Sequence, residues 1–348
     1  MCSLLSVFAA ACGPAAAPPA SATPQPPAPA PTARPEPTAI SYGVSTPVPE
    51  LLPVWAAQDQ GFDVKNGLKL SIVPTEGGSK GLAILIGGSF QAMDVGLAPV
   101  VLANAHGADV RVIDSTANAI PFTIVGGRGV TVDNAAQALK GATIGISTFG
   151  SESDVAVSLF LQRVGLTRDR DVTVVQVGGT ATRLAGLESG AIAATPLLGP
   201  ELVKAQAEGF SPLLDLSQNS QWLFESTVVN RSFLDAHRDE ALALLRALVE
   251  GSYFSRARPE EAKRILSVQL KYTDPALIDS GLQEFLRVAP VDLTPSEAGM
   301  REVIRQVKQL PDANVSNEDP TAYVDTSLLE QLRRDGFFDQ LQRTYGVH

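Results

Sequence analysis

Between residues 40 and 229 the apolar positions fall into short alternating runs, separated by stretches with helical spacing. Ile40, Tyr42 and Val44 alternate as a half-buried strand does, and Leu68, Leu70 and Ile72 repeat that period of two. Leu82, Leu85 and Ile86 then switch to the spacing of a helix face. The same reading predicts strands at 95–97, 110–113, 122–125, 142–146, 172–177, 192–194 and 226–229. Helices are expected through Val155, Leu159, Phe160 and Val164, and across 182–189. Strands that alternate with helices predict an α/β fold. Beyond Asn230 the strand signals stop and helix-start signals take over: Pro259, Asp274-Pro275, and Thr294-Pro295-Ser296-Glu297, which reads as a capping box with proline in the first turn. Asp325 is placed to cap the last helix and Gly336 to end it. The expected architecture is two α/β lobes with a C-terminal helical segment, and no internal repeat is legible in the residues.

The first 39 residues follow different rules. Residues 4–11 are an apolar run far shorter than the ~20 residues of a membrane-spanning helix, but of the right length for the apolar region of a secretory signal. Ala9-Ala10-Ala11-Cys12 resembles the lipobox of bacterial lipoproteins, which implies export with a lipid on Cys12 and attachment to the outer face of the cytoplasmic membrane, or else a periplasmic location. Residues 13–39 are nearly all Pro, Ala, Thr and Ser, a composition that favours extended polyproline II and cannot form a core. The segment is expected to be a tether.

Charge narrows the partners. With 27 Lys and Arg against 37 Asp and Glu, the net charge of -10 provides no basic footprint, so nucleic acid is not expected. The only cysteines are Cys2 and Cys12, and His106, His237 and His348 form no ligand spacing, so neither a metal site nor a cofactor is expected.

Candidate chemistry lies where strands end in loops that open helices, the usual place for ligands in open α/β sheets. Glu76-Gly77-Gly78-Ser79, Thr148-Phe149-Gly150-Ser151 and Gly178-Gly179-Thr180 each follow a predicted strand. Glycine allows close backbone approach, and the free N–H groups of a helix start attract an anion or a carbonyl oxygen. Taken singly, Ser79, Ser151 and Thr180 also read as plain helix caps. Glu76, Lys80, Arg128, Glu152 and Arg183 are the charged candidates beside these loops, and Tyr42, Trp55, Phe122, Phe149 and Trp222 the aromatic ones. Gly77-Gly78-Ser79-Lys80-Gly81 also matches the G-x-S-x-G nucleophile elbow, leaving a serine hydrolase with Ser79 and His237 as the alternative. Dinucleotide and P-loop motifs are absent.

The segments at 53–62, 65–68 and 76–79, with Val95-Gly96-Leu97-Ala98-Pro99, 139–146, Gly150-Ser151-Glu152-Ser153-Asp154 and 187–194, together resemble the SsuA/THI5-like (NMT1-type) substrate-binding proteins of ABC importers of nitrate, taurine, sulfonates and thiamine-precursor pyrimidines. The resemblance implies a type II periplasmic-binding fold, with 40–127 and 226–348 as one lobe and 128–225 as the other. It implies a monomeric, non-enzymatic, exported protein that gives a small polar or anionic solute to a permease driven by an ATPase. Its pocket would be lined by Ser45, Thr46 and Pro47, by Gly78 and Ser79, by Leu97 and Ala98, by Thr148, Phe149, Gly150 and Ser151, and by Thr195 and Pro196. Glu76 would oppose a bare nitrate or sulfonate, which leaves a zwitterion or a neutral heterocycle open. The iron-binding cysteine motif of the related pyrimidine synthases is absent.

Overall fold

Ile40, Tyr42 and Val44 are buried on the first strand of the computed structural model, which describes residues 9–10, 13, 36–75, 77–217, 221–310 and 313–348. The expected leader with Cys12, most of the 13–39 tether, and Glu76 lie outside the described residues. The chain divides into two units, Met1–Pro35 and Glu36–His348, and all strands and helices among the described residues belong to the second. Among them are ten strands: β1 (Thr38–Val44), β2 (Leu68–Pro74), β3 (Ala92–Asp94), β4 (Val110–Val112), β5 (Thr123–Gly126), β6 (Thr143–Ile146), β7 (Thr173–Gln176), β8 (Ala194–Leu197), β9 (Ser211–Asp215) and β10 (Thr227–Asn230).

They form two five-stranded sheets, ordered β2-β1-β3-β10-β4 and β7-β6-β8-β5-β9. Within the first, β1 is parallel to β2 and β3, while β10 runs antiparallel to β3 and β4. The second repeats the plan: β6 is parallel to β7 and β8, and β5 is antiparallel to β8 and β9. In each sheet the antiparallel strand is the one that arrives from the other lobe. The two crossing segments lie side by side, joined where Ala117 bridges Glu225 and Phe224 N–H donates to Ala117 O at 2.9 Å.

Three details depart from the sequence reading. The boundary expected after residue 127 comes one strand late, because β5 pairs with β8 and β9 and the chain has therefore crossed before Thr123. The strand expected at 95–97 is β3 at Ala92–Asp94, and Leu97 already begins a helix, Leu97–Ala105, after the extended Gly96. β9 was not expected, since Pro212 interrupts its pattern; it is an edge strand, where proline is tolerated.

Asp274 and Ser296 cap their helices as N-caps, accepting from Ala276 N at 2.9 Å and Gly299 N at 3.2 Å. The cap is thus Ser296, not Thr294 of the expected capping box. Gly336 takes φ 71° after the Ser327–Arg334 helix, whose N-cap is Thr326 instead of Asp325 and which is not the last, since Phe337–Tyr345 follows directly from Gly336.

The tail packs mainly on the first lobe, with the Arg238–Ala257 helix crossing Leu52–Asp59 and Glu297–Lys308 lying on Leu97–Ala105. Gly251 makes the first crossing possible, because a Cβ there would lie 2.3 Å from Pro53 O. Gly251→Ala is expected to cost about 1–3 kcal/mol by overpacking, read as a lowered urea midpoint at unchanged slope.

Candidate functional site

A cavity lies between the lobes, at the carboxyl ends of parallel strands in both sheets. Ser45 and Thr46 enter it directly after β1, Val95 and Gly96 after β3, and Ser147 after β6. Helix starts supply Gly78, Ser151, Glu152 and Thr180, and the crossing segments supply Phe122, Phe224 and Glu225. The room for the centres of water-sized spheres is ≈ 30 Å³, space for about two waters at ~10–15 Å³ each. The lobes are therefore closed on one another.

Two carboxylates cross the cleft to hold it shut. Glu152, on the second lobe, accepts from Ala98 N of the first at 2.9 Å and from Trp222 Nε1 at 2.9 Å. It packs so tightly that a Cβ on Gly96 would meet Glu152 Oε1 at 2.1 Å. In the opposite direction Glu284, on a first-lobe helix, accepts from the backbone N–H of Gly199, which opens a helix of the second lobe. Each acid satisfies donors that a helix start leaves unpaired. Tyr272 OH adds a third link, donating to Glu201 Oε1 at 2.8 Å.

Arg183 is the buried cation of the cavity, 2% exposed. It reaches back to its own lobe, donating to Pro196 O at 3.2 Å, Gly178 O at 2.9 Å and Thr180 Oγ1 at 3.3 Å. Among the described residues no carboxylate forms an ion pair with it. Burial pushes its pKa down to about 10, against the pull of Glu201. Beside it Ser147, Ser151 and Ser153 form a closed triangle of hydroxyls with edges of 2.8, 2.9 and 2.9 Å.

The opposite wall is acidic. Asp94 ends β3, Ser45 Oγ donates to its Oδ2 at 3.2 Å, and Glu225 stands close enough for a proton on one carboxyl to bond the other. Asp94 Oδ1 and Glu225 Oε2 are buried without a donor, as are both carboxylate oxygens of Glu50. Desolvation raises the pKa of Glu152 to about 8, of Asp94 to about 7 and of Asp114 to about 6, even though each accepts hydrogen bonds that oppose the shift. Glu225 and Glu50 are pushed well above the usual carboxylate range, first by burial and then by the neighbouring acids Asp94 and Glu284 respectively.

Of the residues expected at the pocket, Ser45, Thr46, Gly78 and Ser151 line the cavity. Pro47, Ser79, Leu97, Ala98, Thr148, Phe149, Gly150, Thr195 and Pro196 do not line it, although Ala98 and Pro196 hold Glu152 and Arg183 through their backbones. Phe149 is half exposed at 50%. Glu152, Arg183 and Phe122, named as charged and aromatic candidates, do line it. Arg128 lies instead over the Phe210 ring, 4.9 Å from its centre. Sequence reasoning missed Asp94 and Glu225. Their signal was a single charge inside an apolar run, Met93-Asp94-Val95 and Leu223-Phe224-Glu225.

The serine-hydrolase alternative has no support here. Ser79 Oγ is buried without a hydrogen-bond partner, while the half-exposed His237 stacks on Phe233 and faces Glu240 at 3.3 Å. A nucleophile without a base is not activated.

Solved structures share this architecture. A protein of Bordetella bronchiseptica RB50 superposes with TM-score 0.77 at 22% identity, covering 86% of this chain and 98% of its own. The alkanesulfonate-binding protein SsuA from Xanthomonas axonopodis pv. citri, bound to MOPS, gives 0.67 at 19% identity over 84% and 99%. The periplasmic nitrate-binding protein NrtA from Synechocystis PCC 6803 gives 0.66 at 14% over 86% and 89%. At these identities the likeness is one of fold, the periplasmic-binding-protein fold expected from the sequence. Among curated proteins none matches by sequence. No described helix is long and apolar enough to cross a membrane. The NMT1/THI5-like family model matches residues 48–262, more than half of the chain, and the chain belongs to that family.

Proposed function

We propose that this protein is the solute-binding component of an ABC importer, closing two lobes on a small polar molecule and presenting the closed form to a permease and its ATPase. The observation that carries the reading is the cavity itself, lined from both lobes at strand ends and closed by carboxylates that cross from each lobe to the other. Hinge closure about paired crossing segments is a common way to enclose a ligand. Of the cavity's hydroxyls, those of Ser147, Ser151 and Ser153 hydrogen-bond to one another.

Thermal unfolding of Glu36–His348 with a panel of sulfonates, nitrate, amino acids, pyrimidines and simple esters tests this. A solute at about 100 times its Kd adds about 2.7 kcal/mol of apparent stability, and the midpoint is expected to rise by several degrees with one chemical class and no turnover. Hydrolysis of an ester, or no shift with any compound, would overturn the reading.

The tether belongs to the same proposal. Lipidation of Cys12 would keep the binding protein beside its transporter, at the outer face of the cytoplasmic membrane. Cys12→Ala is expected to move the protein from the membrane fraction to the soluble one, and continued membrane attachment would remove the anchor from the scheme.

A further inference from the structure

The acidic wall of the cavity says more about the solute than the fold does, given the solute-binding reading above. Glu225 is 6% exposed, lines the cavity, and keeps Oε2 without a donor; Asp94 beside it is fully buried, with Oδ1 also lacking one. Among the described residues, Ser45 is the hydroxyl that donates to this pair, bonding Asp94. Glu225 thus presents an acceptor without a donor to the cavity, and Asp94, close enough to share a proton with it, lies directly behind the lining.

Two helix-start N–H groups flanking the cavity are engaged across the cleft, while the helix starts at Gly78, Ser151 and Thr180 line it. The Ala98 N–H at the start of Leu97–Ala105 is already bonded to Glu152, and the Gly199 N–H at the start of its helix to Glu284. The cationic group that remains is Arg183. Its bonds to Pro196 O, Gly178 O and Thr180 Oγ1 use three of its five N–H donors. An anion reaching it would also face Glu152 and Glu225, which line the same small cavity.

We propose that the cleft selects solutes bearing a protonated amine or amidine, received by Glu225 and Asp94, with any acceptor end turned to Arg183, and that it discriminates against bare oxyanions. An arriving ammonium supplies the donors both carboxylates lack and displaces the proton they share. No covalent step is involved. The acids and hydroxyls around the pair are Glu152 from the second lobe, Glu50 from the turn after β1, Asp114 after β4, Tyr42 on β1 and Ser45 after it, and the cation of the same cavity is Arg183. Desolvation holds Asp94 at about 7 and Glu225 well above the usual carboxylate range, so amine binding at pH 7 is expected to release protons.

The test uses matched pairs that differ by the amine: taurine against ethanesulfonate, β-alanine against propionate, and 4-aminopyrimidine against pyrimidine, with nitrate alone. Calorimetry on Glu36–His348 is expected to show the amine-bearing member of at least one pair binding at least ~10-fold tighter than its partner, with proton release measured as a dependence of the binding enthalpy on buffer ionisation. Glu225→Gln is expected to reduce that preference ~10-fold or more. Asp94→Asn serves as the second variant should Glu225→Gln fail to fold, and the proton count on the unaltered protein needs no variant. Equal or tighter binding of ethanesulfonate or nitrate, without proton release, would overturn the amine assignment and leave the solute-binding reading intact. No binding by any probe would overturn both.

Discussion

Arg183→Met is expected to lower the stability of Glu36–His348 by about 2–4 kcal/mol. The guanidinium is 2% exposed and donates to Pro196 O, Gly178 O and Thr180 Oγ1, so it ties the turns before and within the Thr180–Glu188 helix to the end of β8. Methionine has comparable length and no donor, so these acceptors lose their partner inside the protein. Opposing that loss is relief from burying a charge, the effect behind its pKa of about 10, and apolar replacement of buried ions is sometimes neutral. The loss should dominate, because the acceptors are backbone groups that stay in place when the side chain is changed. Arg183→Lys is the companion variant: one ammonium on a flexible stem cannot span three divergent acceptors, so it should recover less than half of the loss. Urea unfolding of the three proteins decides the matter. A methionine variant as stable as the parent would show that Arg183 is held for its charge in the cleft and not for the turns it joins.

The α/β alternation and the helical tail were legible because they are carried by periodicity, which the core enforces: Ile40, Tyr42, Val44, Leu68 and Leu70 are all buried. Helix starts with proline and a capping side chain were legible for a local reason, since Asp274 and Ser296 make their bonds within three residues. The lobe boundary was not, because the apolar run at β5 is identical whether it pairs with β4's sheet or with β8 and β9. The equivalence of the two sheets was also hidden. It is a repeat of strand order, β2-β1-β3 then β10, against β7-β6-β8 then β5, without a repeat of residues.

The site divides the same way. Loops with glycine and hydroxyl residues after a strand announced Gly78 and Ser151, and the family resemblance supplied Ser45 and Thr46. Glu152 and Arg183 could be named but not assigned, since a charge near a helix start is usually solvated; only burial and cross-lobe bonding distinguish them. Asp94 and Glu225 are 131 positions apart in sequence, and nothing local brings them together. The antiparallel register does, setting Thr227 opposite Asp94 and so placing Glu225, two residues earlier, beside the end of β3.

This concentration of buried acids carries the second large prediction, a stability that falls as pH rises. Asp94, Asp114 and Glu152 have pKa values raised by desolvation to about 7, about 6 and about 8, and Glu225 and Glu50 are shifted in the same direction. In the unfolded chain such carboxyls ionise near pH 4. Between that pH and about 8 the folded state therefore holds more protons than the unfolded one, and stability decreases with rising pH throughout the window. At the acid end the sign reverses: Asp171, Asp319 and Glu302 have lowered values, through bonds to Arg170, Thr321 and Arg305 respectively, so their contribution disappears as pH falls through the folded values. Stability should peak near pH 5, with the thermal midpoint about 10 °C lower at pH 8.5. Glu225→Gln, which removes one of the titrating acids while keeping the side chain's shape, should make the descent shallower. A midpoint that is flat or rising from pH 5 to 8.5 would mean that the cleft acids are hydrated in solution, and the closed, dry arrangement of Glu152, Asp94 and Glu225 would not be the dominant state of the free protein.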